Sequence, residues 1–451
     1  MQLKRGYMNI DKWLEVFESS ELKRNPQNDV VFCSLIMQGT RGFKGKWECI
    51  KNILYCKFCG NSVSKVVSTD SRVVIVIQGN RRNEWDTLLP IAKELDRQYI
   101  NYCIWGSDEF IEYHEKLKKE KCKKIYSINQ IMNSNMENIK YREIYNIVQE
   151  WKKVKKIANS IGISFWNFLE TYCIMIARVR GLYVGFLENC EAIISLGDPI
   201  YGMIYQMYGI KHYAIQHGVW QESATEMKAW PNAKPCIIYK ELCWGESQKK
   251  MYKSVFDVDG YVVGNPRYAS NRVSNNPDSK KIVFFSCTHY FRQVRMDLLL
   301  YMYEAMDFLL ELYERLPDGF DIYIKLHPRE TEEEYLKYNK LFGTEIKFID
   351  GNVDSLEVLN DCKMALSLGE TTTAEAAYYG IFAGQIMGGK VKKVQNYAYQ
   401  IENVGEVVEL IHNRELFAEI VNRNYELVDE DIHHANNAAR NILVEIGMID
   451  E

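Results

Sequence analysis

Short apolar runs that end at a glycine and then give way to helical spacing recur along this chain, and no other feature restricts its fold more. Val30–Met37 runs into Gln38-Gly39-Thr40-Arg41-Gly42, and Arg72–Ile77 runs into Gln78-Gly79-Asn80. Both runs are rich in β-branched residues and nearly continuous in apolar character, the pattern of a parallel strand covered on both faces. Thr87–Leu95 then carries its apolar residues at helical spacing, which completes a βα unit.

From about residue 108 to 185 the pattern changes. Lysine clusters at Lys116 to Lys124 and Lys152 to Lys156 precede an aromatic and aliphatic stretch, Ile157 to Arg180, and the region reads as a helical insert. Strands are predicted again over Ala192–Leu196, His212–Ile215, Cys236–Tyr239 and Gly260–Val263, with helices over Tyr201–Tyr208 and from about Gly245 onward. Ser270–Lys280 contains Asn275-Asn276-Pro277-Asp278 and has the composition of a linker. Beyond it come strands over Lys281–Phe285, Phe320–Lys325, Ile346–Ile349, Met364–Ser367 and, last, Phe382–Met387. Helices are predicted over Met296–Arg315, Glu332–Leu341, Ser355–Leu359 and Thr373–Tyr379. The expected fold class is therefore α/β, two Rossmann-like domains facing a cleft, with the helical insert in the first. The expected divisions are 1–270, 281–430, and a C-terminal helix over 431–451 that could cross back.

With 451 residues the chain is long enough for two or three cores. Lys plus Arg total 56 against 60 Asp plus Glu, a formal net charge of −4, which argues against a nucleic-acid partner read through a broad basic face. An anionic ligand must then be held locally. Cys56 and Cys59 have CxxC spacing, but no second pair or matching histidines follow, so no metal site is expected. No apolar run follows Met1–Gly6 and nowhere do eighteen apolar residues stand together, so the expected compartment is the cytoplasm.

In open parallel sheets, ligands bind beyond the carboxyl ends of the strands. There the chain places Lys325-Leu326-His327-Pro328-Arg329-Glu330, with Pro328 suited to a first helical turn and His327 beside backbone N–H groups that suit a phosphate. Ser367-Leu368-Gly369-Glu370-Thr371-Thr372-Thr373-Ala374-Glu375 follows the next-but-one strand. Gly369 lets the backbone approach a ligand, the hydroxyls donate to phosphate oxygens, and Glu375 is placed to accept from ribose hydroxyls. Alone, the threonines read as a helix cap; paired with the His327 loop they read as a nucleotide site. His289 and Arg292 follow the first strand of the second domain and could add positive charge there.

His327-Pro328, Thr371-Thr372 with Glu375-Ala376, and Gln216-His217-Gly218 together resemble motifs of bacterial glycosyltransferases of the GT-B fold, across roughly residues 190 to 390. The resemblance is to enzymes of surface and capsular polysaccharide synthesis, including the Lys-x-His-Pro group with CMP- or CDP-activated donors: sialyl-, Kdo- and teichoic-acid-type transferases. It implies that His327, Thr371 and Thr372 hold donor phosphates, and it raises His217 as a catalytic residue. Glu370 departs from the pattern, since a carboxylate beside a diphosphate must point away or pair with Lys325 or Arg329.

An inverting transfer needs a base for the acceptor hydroxyl. Asp198 and His217 end successive predicted strands of the first domain and are the candidates, with Gln38, Arg41, Gln78 and Arg82 as weaker ones. Retaining enzymes of the resembled GT-B kind often carry two glutamates eight positions apart, and neither Glu370 nor Glu375 is followed by one at that spacing, so the resemblance implies inversion; it also implies no metal or other cofactor beyond the nucleotide-sugar co-substrate. The expected acceptor is a glycan or lipid-linked chain. Three alternatives stay open: a sugar-nucleotide epimerase of the same fold, a polyol-phosphate transferase with a CDP-polyol donor, and a non-catalytic scaffold that keeps the fold and docks partners through the 108–185 insert. The lysines and aromatics of the insert would suit peripheral contact with anionic lipid at the inner face of the cell membrane; a core stripe with a solvated lysine face is the preferred reading.

Overall fold

The computed structural model describes residues 45–58, 71–77, 82–117, 125–128, 131, 138–160, 162–182, 187–197, 209–216, 218, 238–270, 273, 276, 278–286, 299–328, 330–333, 335–336, 344–387, 397–432 and 437–450. The chain forms two compact units, one of residues 1–217, 222–266 and 437–451, the other of residues 218–221 and 267–436.

Unit 1 contains, in chain order, α1 (Lys46–Phe58), β1 (Val73–Ile77), α2 (Arg82–Arg97), β2 (Tyr102–Gly106), α3 (Asp108–Leu117), β3 (Ile125–Ser127), α4 (Tyr141–Ser160), α5 (Phe165–Leu182), β4 (Ala192–Leu196), β5 (Lys211–Ile215), β6 (Lys240–Cys243), α6 (Glu246–Phe256) and β7 (Gly260–Val262). Its seven strands pair in the order β3-β2-β1-β4-β5-β6-β7, all parallel. β1 is buried along its whole length, as a central strand covered on both faces must be. On one face Val73, Ile75 and Ile77 meet Trp85, Leu88 and Ile91 of α2. The order reverses between β1 and β4, so the crevice of this sheet opens beyond their carboxyl ends.

Unit 2 follows α7 (Pro266–Ser270) with β8 (Lys281–Phe285), α8 (Leu299–Arg315), β9 (Asp321–Lys325), β10 (Lys347–Ile349), α9 (Ser355–Leu359), β11 (Met364–Ser367), α10 (Thr371–Tyr378), β12 (Phe382–Ile386), β13 (Tyr399–Ile401), α11 (Val404–His412) and α12 (Arg414–Ile432). The last helix, α13 (Ala438–Glu445), belongs to unit 1, where Ile442 and Leu443 join the cluster of α2. The six strands of unit 2 pair in the order β10-β9-β8-β11-β12-β13, again all parallel, with the reversal between β8 and β11.

The predicted α/β class with Rossmann-like sheets is the observed one. Three local readings need correction. The strand expected at Cys236–Tyr239 lies at Lys240–Cys243, because pairing Tyr213 with Lys240 sets its register on β5. The insert is not helical throughout: β3 continues the sheet beside β2. Phe382–Ile386 is not the last strand, since β13 pairs with it. The strand predicted over Val30–Met37 and the helix over Tyr201–Tyr208 lie outside the described residues. In α4, Ile147, Val154 and Ala158 are buried while Lys152, Lys153, Lys155 and Lys156 are exposed, which is a core stripe with a lysine face. Trp151 packs on Phe168 of α5 at 5.3 Å between ring centroids.

Leu309 of α8 is wholly buried against Ile282, Ile324 and Leu366 in the core of unit 2. Leu309→Ala should lower the unfolding free energy by about 2–5 kcal/mol through the lost contacts and the cavity left behind. Urea denaturation followed by circular dichroism measures it.

Candidate functional site

The carboxyl ends of β9, β8 and β11 stand side by side in unit 2, so their loops gather at the point where the strand order reverses. β11 ends at Ser367, and the chain turns through Gly369 into α10. Gly369 has φ 123°, a conformation that L side chains rarely adopt, which is why glycine stands there. Ser367 is fully buried, and its Oγ accepts from the N–H of Gly369 at 2.9 Å and of Glu370 at 3.2 Å. At the next turn Thr373 Oγ1 donates to the Glu370 carbonyl at 2.6 Å. These bonds build the turn itself. Thr371 and Thr372, at the helix start, are half-buried.

The expected nucleotide-binding residues divide accordingly. Ser367 and Thr373 are engaged within their own turn, whereas Thr371 and Thr372 stand at the amino end of α10, where backbone N–H groups and the helix dipole favour an anion. Gly218, which belongs to unit 2, lies against the same place: a Cβ there would come within 2.9 Å of Thr371 Oγ1. Glu370 Oε2 accepts from the Gly369 N–H at 3.1 Å, and Arg329, one of the two cations proposed for it from sequence, lies outside the described residues.

The His327 loop closes on itself. The His327 N–H donates to Glu330 Oε2 at 3.0 Å and the Glu330 N–H donates to the His327 carbonyl at 2.9 Å. The His327 N–H is therefore bound within the loop, unlike the open amide expected from sequence, while the half-buried His327 side chain stands at the carboxyl end of β9. Lys325 is buried, and its ammonium donates to the carbonyls of Leu326 at 2.8 Å and Gly351 at 2.9 Å. It ties the β9 loop to the β10 loop rather than standing open to a phosphate. Burial pushes its pKa down to about 8, against the opposing pull of Asp350, Asp354 and Glu330.

Glu375 also differs from its expected setting. Its Oε1 accepts from Arg267 Nη1 and its Oε2 accepts from Ser355 Oγ at 2.8 Å, so each oxygen already holds a protein partner where ribose contact was expected. Burial raises its pKa, and Arg267 and Ser355 draw it back. Sequence reasoning missed Arg267 and Asp354 altogether.

In unit 1, Asp198 follows β4 and His217 follows β5, and both lie outside the described residues, as do His289, Arg292, Gln38, Arg41 and Gln78. The ends of β4 and β5 that precede Asp198 and His217 are described. Ser195, on β4, bonds His212 Nε2 at 2.8 Å and donates to the Gly197 carbonyl at 2.9 Å. Gln216 donates to Gln248 at 3.0 Å and accepts from the Trp244 N–H at 2.9 Å, which fixes the end of β5 to the turn before α6. No group of three or more His, Cys, Asp or Glu suited to a metal stands among the described residues. Nor, among them, is any helix long and apolar enough to cross a membrane.

No family model matches the chain, and no curated protein matches it in sequence. Its fold is similar to that of solved structures. A Listeria monocytogenes protein provisionally assigned as a UDP-N-acetylglucosamine 2-epimerase aligns with a TM-score of 0.52 at 12% identity, over 85% of this chain and 98% of that one. MnaA of S. aureus, solved with UDP, aligns with a TM-score of 0.51 at 13% identity, over 84% and 98%. A weaker likeness, TM-score 0.45 at 13% identity over 84% and 88%, is to the wall teichoic acid polymerase TagF. At such identities the first two establish the fold, two Rossmann-like units of the GT-B kind, and leave the chemistry to the residues.

The buried Lys325 ammonium makes stability depend on pH. With a folded value of about 8 below the ordinary 10.5, the unfolded chain binds more protons between these values, so this group's contribution makes stability rise with pH across that window. The difference in unfolding free energy between wild type and Lys325→Met should therefore move in favour of wild type from pH 8 to pH 10, measured by urea melts at each pH.

Proposed function

We propose that this chain is a glycosyltransferase of the GT-B kind. It moves a sugar from a nucleotide-activated donor, CMP-sugar favoured, to a glycan or lipid-linked acceptor in bacterial surface polysaccharide synthesis, with inversion and without a metal. The observation that carries this reading is the joint placement of the Ser367–Thr373 turn and the His327 loop beyond the carboxyl ends of β11 and β9, on either side of β8 at the strand-order reversal. His327, Thr371, Thr372 and the amino end of α10 would hold the phosphates and take up the negative charge that grows on them as the sugar leaves.

In the reaction the acceptor hydroxyl oxygen forms a bond to the anomeric carbon while the bond from that carbon to the donor phosphate breaks. The hydroxyl proton passes to a base of unit 1, His217 or Asp198, and the nucleotide leaves with the bonding electron pair. A CDP-polyol donor would use the same phosphate site, with attack at phosphorus. The epimerase reading keeps its support from the fold shared with the Listeria monocytogenes protein. It requires several acid and base carboxylates at the strand ends of unit 1, where the sequence offers few.

A thermal-shift panel of CMP, CDP, UDP, GDP and dTDP should give one ligand that raises the melting temperature of wild type, and His327→Ala should lose most of that shift while its ligand-free melting temperature stays unchanged. An unchanged shift would remove His327 from the site. UDP-sugars incubated with the enzyme alone separate the two enzyme readings, since an epimerase converts its substrate without an acceptor. His217→Ala or Asp198→Asn should lower kcat far more than donor affinity, because a base acts in the transition state. Steady-state kinetics with both variants checks this.

A further inference from the structure

Unit 2 contains a buried charge cluster to which the donor site proposed above assigns no role. Arg267, in α7, directs one guanidinium nitrogen to Glu375 Oε1 and the other to both oxygens of Asp354, each at 3.1 Å. Ser355 Oγ closes the ring by donating to Glu375 Oε2 at 2.8 Å. The side chains of Arg267, Asp354 and Glu375 are 6%, 7% and 5% exposed. A planar guanidinium can grip two carboxylates in fixed directions, which a lysine cannot. Replacing a buried ion cluster with apolar groups is often neutral for stability, so its physical effect is better sought in geometry.

Both carboxylates are attached to site elements. Glu375 lies one turn into α10, so Arg267 fixes the helix whose amino end carries Thr371 and Thr372. Asp354 caps α9 through the Leu356 N–H at 2.8 Å, and three residues earlier the same segment passes beneath the His327 loop. At Gly351 a Cβ would lie 2.6 Å from the His327 carbonyl oxygen and 2.8 Å from Pro328 Cα, so only glycine allows that approach. Lys325 pins the Gly351 carbonyl from the other side. Contacts thus run without a break from the His327 loop through residues 351–355 and Arg267 to the start of α10.

We propose that Arg267 is a positioning residue of the nucleotide site: by holding Asp354 and Glu375 together it sets the spacing between the His327 loop and the amino end of α10. The proposal rests on the donor-site reading for its ligand, and on the contacts alone for its geometry. Arg267→Lys keeps the charge but replaces the planar fork, which directs a separate nitrogen to each carboxylate, with a single ammonium whose donors are not fixed in direction. Its affinity for the nucleotide that shifts wild type should fall about tenfold. Amide hydrogen exchange should quicken at 351–356 and 369–373 while the amides of β8 and β11 keep their protection.

Wild-type affinity together with wild-type exchange at both segments would overturn the proposal, and so would exchange quickened equally in the strands, the mark of a merely structural loss. Should no nucleotide bind wild type, the donor reading fails, and the exchange pattern still decides the positioning role. If Arg267→Lys does not fold, the neutral variant Arg267→Met, Asp354→Asn, Glu375→Gln removes the fork without stranding a charge. Weak nucleotide binding or quickened exchange at both segments in that variant supports the role; wild-type behaviour in both measurements rejects it.

Discussion

Parallel pairing on both flanks of β8 decides where unit 2 can bind anything. β9 lies on one side and β11 on the other, and the connections beyond their carboxyl ends leave in opposite directions, so a crevice opens there. The same pairing buries the polar residues at the strand ends, and each buried polar atom then needs a partner. Ser286 bonds the Tyr335 hydroxyl at 2.6 Å, Lys325 bonds two carbonyls, and Ser367 accepts two backbone N–H groups. Ser195 answers the same demand at the end of β4 in unit 1. These residues shape the loops, while His327, Thr371 and Thr372 stay part-exposed.

The sheets were legible because a strand buried on both faces must be apolar at every position. Val73–Ile77 and Lys281–Phe285 satisfy that rule nearly without exception, and Gly79 follows closely on the first of them. Where the rule loosens, so does the reading. β6 carries Lys240 and a fully buried Glu241 within its four residues, and the apolar segment just before it reads more like a strand than the strand does. β3 and β13 have three residues each, too few for a period, and only their pairing with a neighbour defines them. α11 shows the opposite case: Val404, Val407 and Leu410 are buried at helical spacing, so the sequence carries its signal plainly.

The site was legible as a place and much less as a set of contacts. Motif spacing finds where the backbone bends, since Gly369 at φ 123° and the start of α10 depend on local sequence. It does not find what a side chain touches. Glu375 occupies the position at which a ribose contact was expected, yet its oxygens are held by residues 108 and 20 positions away, and Asp354 meets Arg267 across 87. Separations of that size leave no periodic trace in a single sequence.

Charge accounting in the same region bears on how an anion could be held. Arg267 faces two carboxylates, which leaves that cluster one negative charge in excess when all are ionised. Lys325 lies close enough to Asp350, Asp354 and Glu330 for their charges to oppose its loss of the proton. Its positive charge thus offsets these nearby carboxylates, and its N–H groups bond carbonyls. Under the proposed reading, a phosphate at the amino end of α10 would be stabilised chiefly by backbone N–H groups, hydroxyls and the helix dipole. Such a site is set by geometry more than by charge. A tenth of a nanometre in the spacing of two loops then matters more to it than the loss of a surface lysine, because a directed N–H bond weakens steeply with misalignment while a screened charge changes little.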